Sequence, residues 1–425
     1  MDYPASFLRQ VKKIIKARPQ LFFATTRPGF ETECKKEIIE ILNIDDANCK
    51  IETGGVEFSC PIEGMWLLHL KAQTINSIKM RLTTFRAGEL GELLSKTKKI
   101  PLHIYLPTNP NIDLQISLTN CRIPDSQIIK QSLIKTIATT HYNYIKNNLN
   151  IDPAKEPPHQ STLYLLGKDN HYTLSIDCSG KKFYQRGYKP FVQKAILRET
   201  SAASILLASN LKNATRLFDP MCGSGTFALE AISHILSTSS HFMINKNGVF
   251  PFFNWPSFRE NSFAHLQNNP QKSFTPREIG LKEIYSSDIS TYAITTTKKN
   301  REVFLQVVRG QNLATEFEKI KWKITKQDIF DTSYWKKMKL DNSDLIVLNP
   351  PYGKQLKSSK EFFIKLEKLI RETLSYAMVA IIAPSVEAYK ILTSNMKAKK
   401  IEFFNGGIKC NLLIFTPSVA DSKIV

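Results

Sequence analysis

No run of about 18 consecutive apolar residues occurs in this 425-residue chain, so no membrane-spanning helix is expected. The first twenty residues carry scattered lysines and no apolar block of signal-peptide length. Cysteine is sparse. The seven lie far apart with no Cys-x-x-Cys pair, which gives neither zinc-site spacing nor a disulfide framework. Acidic residues are outnumbered, 38 against 58 basic, for a net charge of +20. These shortages argue against a membrane protein, a secreted disulfide scaffold and a resident metal. They favour a reduced, cytoplasmic protein whose partner is a polyanion, nucleic acid first.

What is present supports real cores: 42% of residues are hydrophobic, over a length suited to two or three domains. The charge is uneven. Residues 1–180 hold 22 basic and 18 acidic side chains, whereas residues 181–425 hold 36 and 20. Within the first part, segment 71–150 is locally basic, with 11 against 4. That excess suits RNA-backbone contact, and a solvated helix face accounts for each lysine equally well.

The stretch Asp344-Leu345-Ile346-Val347-Leu348-Asn349-Pro350-Pro351-Tyr352 organises the second half. Its four apolar residues read as a strand buried on both faces. Asn349 stands at the strand end, and two prolines stop further pairing because they lack the N–H a sheet needs. The resulting rigid loop aims an amide, a carbonyl and an aromatic ring at the space beyond the strand ends, where open parallel sheets bind ligands. An exocyclic amino group on a base is a poor nucleophile. Hydrogen bonds from its N–H groups to the Asn349 side-chain oxygen and a Pro350 or Pro351 carbonyl would hold its lone pair toward a methyl donor, and Tyr352 would stack on the base. The alternative is a tight strand-to-helix turn with an Asn cap.

Asp219-Pro220-Met221-Cys222-Gly223-Ser224-Gly225-Thr226 follows the apolar pair Leu217-Phe218 and precedes a helical stretch. Strand, glycine loop and helix bring backbone N–H groups close to a ligand. No Gly-Lys-Ser/Thr follows, and the third glycine of a dinucleotide fingerprint is missing. The acidic residue before the glycines suits a ligand with a cationic amino-acid end, as S-adenosylmethionine has.

In this order, each at a strand end, the two motifs resemble the amino-directed, S-adenosylmethionine-dependent methyltransferases. With Gln185-Arg186-Gly187-Tyr188-Lys189 and Phe404-Asn405-Gly406-Gly407-Ile408-Lys409-Cys410, the chain resembles the bacterial RNA guanine-N2 methyltransferases that carry an N-terminal THUMP domain, over most of residues 20–416. The resemblance implies an α/β fold. A Rossmann-like, seven-stranded class I methyltransferase domain (181–425, with an insertion at about 236–280) follows an α+β region. That region divides into a ferredoxin-like part (1–65) and a THUMP-like RNA-binding domain (66–180). S-adenosyl-L-methionine would lie along Asp219, Pro220, Cys222, Gly223, Ser224, Gly225, Asp288, Asp328 and Asn349. Asn349, Pro350, Pro351 and Tyr352 would be catalytic. Certain longer relatives carry a second methyltransferase domain, for which this chain is expected to be too short.

Taken in order, the first region shows strand signals at 21–25 and 56–60 around a helix at 30–42. A strand at 114–118, a long helix at 126–149 and a hairpin pairing 163–166 with 172–176 follow. The junction 181–189 interleaves basic residues with three aromatics. Lys181, Lys182, Arg186 and Lys189 would meet RNA phosphates; otherwise this is a basic interdomain linker with its aromatics packed inside. Seven strands are expected beyond it, at about 215–219, 283–287, 322–326, 344–348, 377–382, 401–404 and 409–415, mostly parallel with an antiparallel end. The acid that would bind ribose, Asp288, lies 63 residues past Gly225, far beyond the ~20 of a dinucleotide fold, because the aromatic insertion intervenes. That insertion is expected to pack over the core; substrate contact by its aromatics is the alternative. Asp328, at the end of the third strand, resembles the acid that contacts the adenine amino group; a helix cap is its alternative.

The resulting expectation is RNA methylation at an exocyclic amino group. By resemblance the target is guanine N2 of 23S ribosomal RNA, on a base swung out of its helix. Transfer RNA guanine, DNA, and a non-catalytic RNA-binding or ribosome-assembly role remain the alternatives.

Overall fold

The structure, a computed structural model, describes residues 3–16, 18–191, 197–237, 250–268, 280–310, 313–350 and 360–417. Pro351 and Tyr352 of the expected catalytic loop therefore lie outside the described residues.

Strands β1 (Gln20–Thr25), β2 (Cys49–Glu52), β3 (Gly55–Cys60), β4 (Ser77–Arg86), β5 (Pro110–Thr119), β6 (His159–Lys168) and β7 (His171–Asp177) form one sheet, ordered β2-β3-β1-β4-β7-β6-β5. In β1, Phe22 and Ala24 face inward while their neighbours are less covered, as a period of two requires. Helices α1 (Ala5–Val11), α2 (Glu31–Leu42), α3 (Ile62–Lys71), α4 (Leu90–Lys98) and α5 (Ser126–Tyr144) accompany this sheet. Asp125 caps α5 by accepting the N–H groups of Gln127 and Ile128, and Ile129, Leu133, Ile137 and His141 bury one stripe of it. The expected 65/66 division falls inside α3. Strands from both sides of it share the sheet, since β1 pairs β4 with Phe22 opposite Met80.

The second sheet contains β8 (Arg216–Asp219), β9 (Glu283–Asp288), β10 (Lys321–Lys326), β11 (Asp344–Leu348), β12 (Met378–Ala383), β13 (Lys399–Asn405) and β14 (Ile408–Phe415), ordered β10-β9-β8-β11-β12-β14-β13. These match the expected strands within two residues. The first five run parallel, and β14 is antiparallel to β12 and β13. Helices α6 (Glu199–Ala208), α7 (Thr226–Ile235), α8 (Glu260–Asn268), α9 (Thr291–Arg309), α10 (Ala314–Glu318), α11 (Thr332–Met338), α12 (Lys360–Leu369) and α13 (Val386–Leu392) are the α-helices described in this half. Every residue of β11 is buried, as a strand covered on both faces should be. The chain moves outward from β8 to β9 and β10, then returns to place β11 on the other side of β8. The crevice between β8 and β11 is the topological switch point, where such sheets bind ligands.

The aromatic insertion packs, but on the first core rather than the second. Phe250, Phe252, Trp255 and Phe263 are buried among N-terminal residues, with the Phe252 ring tilted against Trp66 at 6.4 Å and His69 held edge-on to Phe250 and Phe252. A segment from the second half of the chain thus completes the core of the first.

Candidate active site

Two neighbouring strands bring to the crevice side-chain oxygens for which the described residues supply no side-chain partner. Asp219 ends β8, 1% exposed, and among the described residues no side chain pairs with its carboxyl oxygens; the Met221 backbone N–H is a weak polar neighbour. Asn349 follows β11, and its Oδ1 is buried and unbonded. Buried polar atoms in folded proteins are nearly always bonded, so such atoms call for an explanation. The opposite end of the same strands supplies the contrast. There the buried Asp344 carboxylate accepts from Arg216 Nε and Nη2 at 2.6 Å each. Burial, and then the charge of Asp288, push the Asp219 carboxyl well above the usual carboxylate range.

The glycine loop wraps beneath these groups. Gly223 (φ +53°) and Gly225 (φ +80°) adopt left-handed angles that favour glycine. A Cβ on Gly225 would lie 2.8 Å from Thr297 Cγ2, whereas the space over Gly223 is open. Cys222 N–H donates to the Ser287 carbonyl at 3.0 Å, tying loop to β9. Asp288 accepts from Gly223 N–H at 3.1 Å and from Ser290 N–H at 2.9 Å. The 63-residue gap is therefore closed in space by a direct hydrogen bond. Ile289, the next residue, is 67% exposed and offers an apolar surface beside that acid. Asp328 is exposed after β10 and accepts from Phe330 N–H at 3.0 Å. It does not cap a helix; Asp331 does that for α11.

A ligand with an ammonium–carboxylate end and a ribose matches this arrangement. The unpaired Asp219 carboxyl needs a cation, the loop offers a glycine backbone over open space, and Asp288 sits at the adjacent strand end. The residues present thus fit S-adenosylmethionine.

The junction residues fall elsewhere than expected. Lys181 is exposed and Lys182 half-buried, its Nζ 3.4 Å from Ser77 Oγ. Arg186 and Lys189, expected at RNA phosphates, are buried. The Arg186 guanidinium donates to both Glu230 oxygens at 2.8 and 2.9 Å and to the Gln73 carbonyl at 2.7 Å. Tyr188 donates to the same carboxylate. Lys189 lies 3.2 Å from Glu199 and donates to Thr226 Oγ1 at 3.0 Å. These cations serve carboxylates inside the domain junction and cannot also reach a phosphate. Sequence reasoning also missed the part α9 plays in holding the glycine loop. Asn300 Nδ2 donates to the Ser224 carbonyl at 3.0 Å and Thr297 Oγ1 to the Gly223 carbonyl at 3.1 Å. No motif marks either residue, because they lie more than seventy positions from the loop they hold.

Sheet order, switch-point site and glycine loop define a class I S-adenosylmethionine-dependent methyltransferase fold. The family model for the RMKL-like methyltransferase domain matches residues 186–414, and the chain belongs to that family. It is 30% identical over 260 residues to the ribosomal RNA large subunit methyltransferase K/L of Hydrogenovibrio crunogenus, covering 58% of this chain and 32% of that protein. The Allochromatium vinosum protein of the same name is 25% identical over 390 residues, covering 88% and 49%. The chain thus spans a third to a half of these relatives. A provisionally named RNA methyltransferase of Synechocystis sp., slr0064, is 26% identical over 402 residues, covering 92% and 97%. Among solved structures, SMU.472 in complex with S-adenosylhomocysteine superposes with a TM-score of 0.74 at 22% identity, covering 94% of this chain and 99% of that one. TrmN from Thermus thermophilus gives 0.60 at 13%, covering 94% and 100%. No helix among the described residues is long and apolar enough to cross a membrane.

Proposed function

We propose that this chain methylates an exocyclic amino group of an RNA base, with guanine N2 of 23S ribosomal RNA as the target. The unbonded Asn349 Oδ1 at the switch point, beside the unpaired Asp219 carboxyl, carries the reading. When bound, S-adenosylmethionine supplies a methyl group on a sulfonium. Asp219 takes up its ammonium group, Asp288 its ribose hydroxyls, and the Gly223–Gly225 backbone its amino-acid end; Asp328 is assigned to the adenine amino group. Asn349 Oδ1 accepts an N–H of the target amine. That bond directs the nitrogen lone pair and favours the positive charge developing on nitrogen. A Pro350 or Pro351 carbonyl is the second acceptor, and Tyr352 the stacking partner. Neither a strong base nor a metal is required, since the nitrogen becomes acidic once alkylated and loses its proton to water. Positioning supplies much of the rate. The names of the K/L relatives favour large-subunit ribosomal RNA, and the +20 net charge favours a polyanion.

The test incubates the purified protein with labelled S-adenosylmethionine and unmodified 23S RNA, transfer RNA or DNA separately, and identifies the methylated nucleoside by mass spectrometry. N2-methylguanosine in 23S RNA is expected. The same product only in transfer RNA would move the substrate, N6-methyladenosine would overturn the base assignment, and cofactor binding without transfer to any nucleic acid would overturn the reading.

A further inference from the structure

Asn300 uses its whole amide to hold one aromatic residue beside the cofactor loop. The residue is buried in α9. Its Nδ2 donates to the Phe191 carbonyl at 2.8 Å and to the Ser224 carbonyl at 3.0 Å. Its Oδ1 accepts the Phe191 N–H at 3.2 Å. A single side chain thereby pairs with both main-chain groups of Phe191 and with the glycine loop. Yet the residue whose main chain this clamp holds is 43% exposed. Single exposed apolar residues are ordinary and need no account. This one differs in having its main chain held by a buried amide that also holds the loop beside the cofactor site. It also has a cation on it: Lys299, exposed on α9, places Nζ 5.4 Å from the ring centroid.

We propose that Phe191 and Lys299 form a contact for the substrate strand outside the methyl-transfer pocket, the ring stacking on a base adjacent to the target nucleotide and the ammonium meeting a neighbouring phosphate. The inference rests on the RNA reading above. An exposed ring next to a cation is the pairing that binds unstacked nucleotides without demanding their sequence. A base swung out of its helix leaves its neighbours with a face unstacked, and a rigid ring at the rim of the site takes that face. Asn300 is a positioning residue, acting through the Phe191 main chain. Because the clamp holds main chain only, side-chain changes at 191 leave it in place.

The test measures steady-state methylation of the RNA accepted by the wild type, with Phe191→Ala, Phe191→Trp and Lys299→Gln. Phe191→Ala should raise the KM for RNA about tenfold, in the range of a lost base–aromatic stack, and leave the Kd for S-adenosylhomocysteine unchanged. Phe191→Trp should restore the wild-type KM, which a merely structural role for a phenylalanine would not allow. Lys299→Gln should flatten the salt dependence of RNA binding by about one phosphate contact. A wild-type KM in Phe191→Ala, or a weakened cofactor Kd with no KM effect, overturns the inference. A wild-type protein that methylates no RNA fails the underlying reading instead, so the two failures are distinguishable.

Discussion

Asp219→Asn should strengthen the fold and weaken the cofactor site at once. The carboxyl is buried without a side-chain partner among the described residues, and its pKa is raised, by burial first and Asp288 second, against a weaker lowering by the Met221 backbone N–H. Raised in the folded state, this pKa makes the group's contribution to stability most favourable below the unfolded value. The contribution declines as pH rises toward the folded pKa. The slope over that window is about 1.4 kcal/mol per pH unit. Between an unfolded pKa near 3.9 and pH 7, the penalty has a ceiling of about 4 kcal/mol. A buried, unbonded amide carries about the same burial cost as the neutral acid it replaces, so the two cancel. The variant should therefore exceed the wild type by up to about 4 kcal/mol at pH 7 and by little or nothing near pH 4. Cofactor binding moves the other way. Loss of a buried charge-assisted pair should weaken binding by about 3 kcal/mol, roughly a hundredfold in Kd. Thermal unfolding from pH 4 to 8 without ligand, and calorimetric titration with S-adenosylhomocysteine, measure both. The reasoning is refuted by a variant that melts below the wild type at pH 7, since Asp219 would then be a structural acceptor, or by an unchanged Kd.

Four further outcomes follow, the first from the same carboxyl and three from other parts of the molecule. The acid limb of cofactor binding should belong to Asp219: wild-type affinity should fall about tenfold per pH unit below its raised folded pKa, and Asp219→Asn should flatten that limb in the same titrations. Asn349→Ala should cut kcat by about 100- to 1000-fold with the S-adenosylhomocysteine Kd retained; equal loss of both would remove its assigned role. Arg186→Met strands Glu230 in the domain junction and should cost about 3–5 kcal/mol, recovered largely by adding Glu230→Leu. Its effect on the salt dependence of RNA binding should be nil, and a loss of one phosphate contact would reinstate Arg186 at the RNA. Phe252→Ala should cost about 3–5 kcal/mol through the cavity left against Trp66, visible as a lowered melting temperature with cofactor binding preserved.

Local pattern and loop chemistry were enough to read the strands, the glycine turn and the Asn349 corner. An all-apolar run such as Leu345–Leu348 has few other places to go, and Gly223, Gly225 and Pro350 restrict their own backbones. The order of the strands, and hence the meeting of Asp219 with Asn349 across 130 residues, was legible only by resemblance. Three matters were decided by tertiary structure. The cations of the 186–189 segment look like phosphate ligands in one dimension, but Glu230 and Glu199, themselves buried, claim them, because a buried carboxylate needs a cation more than a solvated phosphate does. The aromatic insertion could have covered either core; it joined the one where Trp66, His69 and Phe183 left rings to pack against. Asn300 carries no motif at all, since an amide that holds main chain depends on where distant backbone runs, and sequence pattern records only what repeats or turns locally.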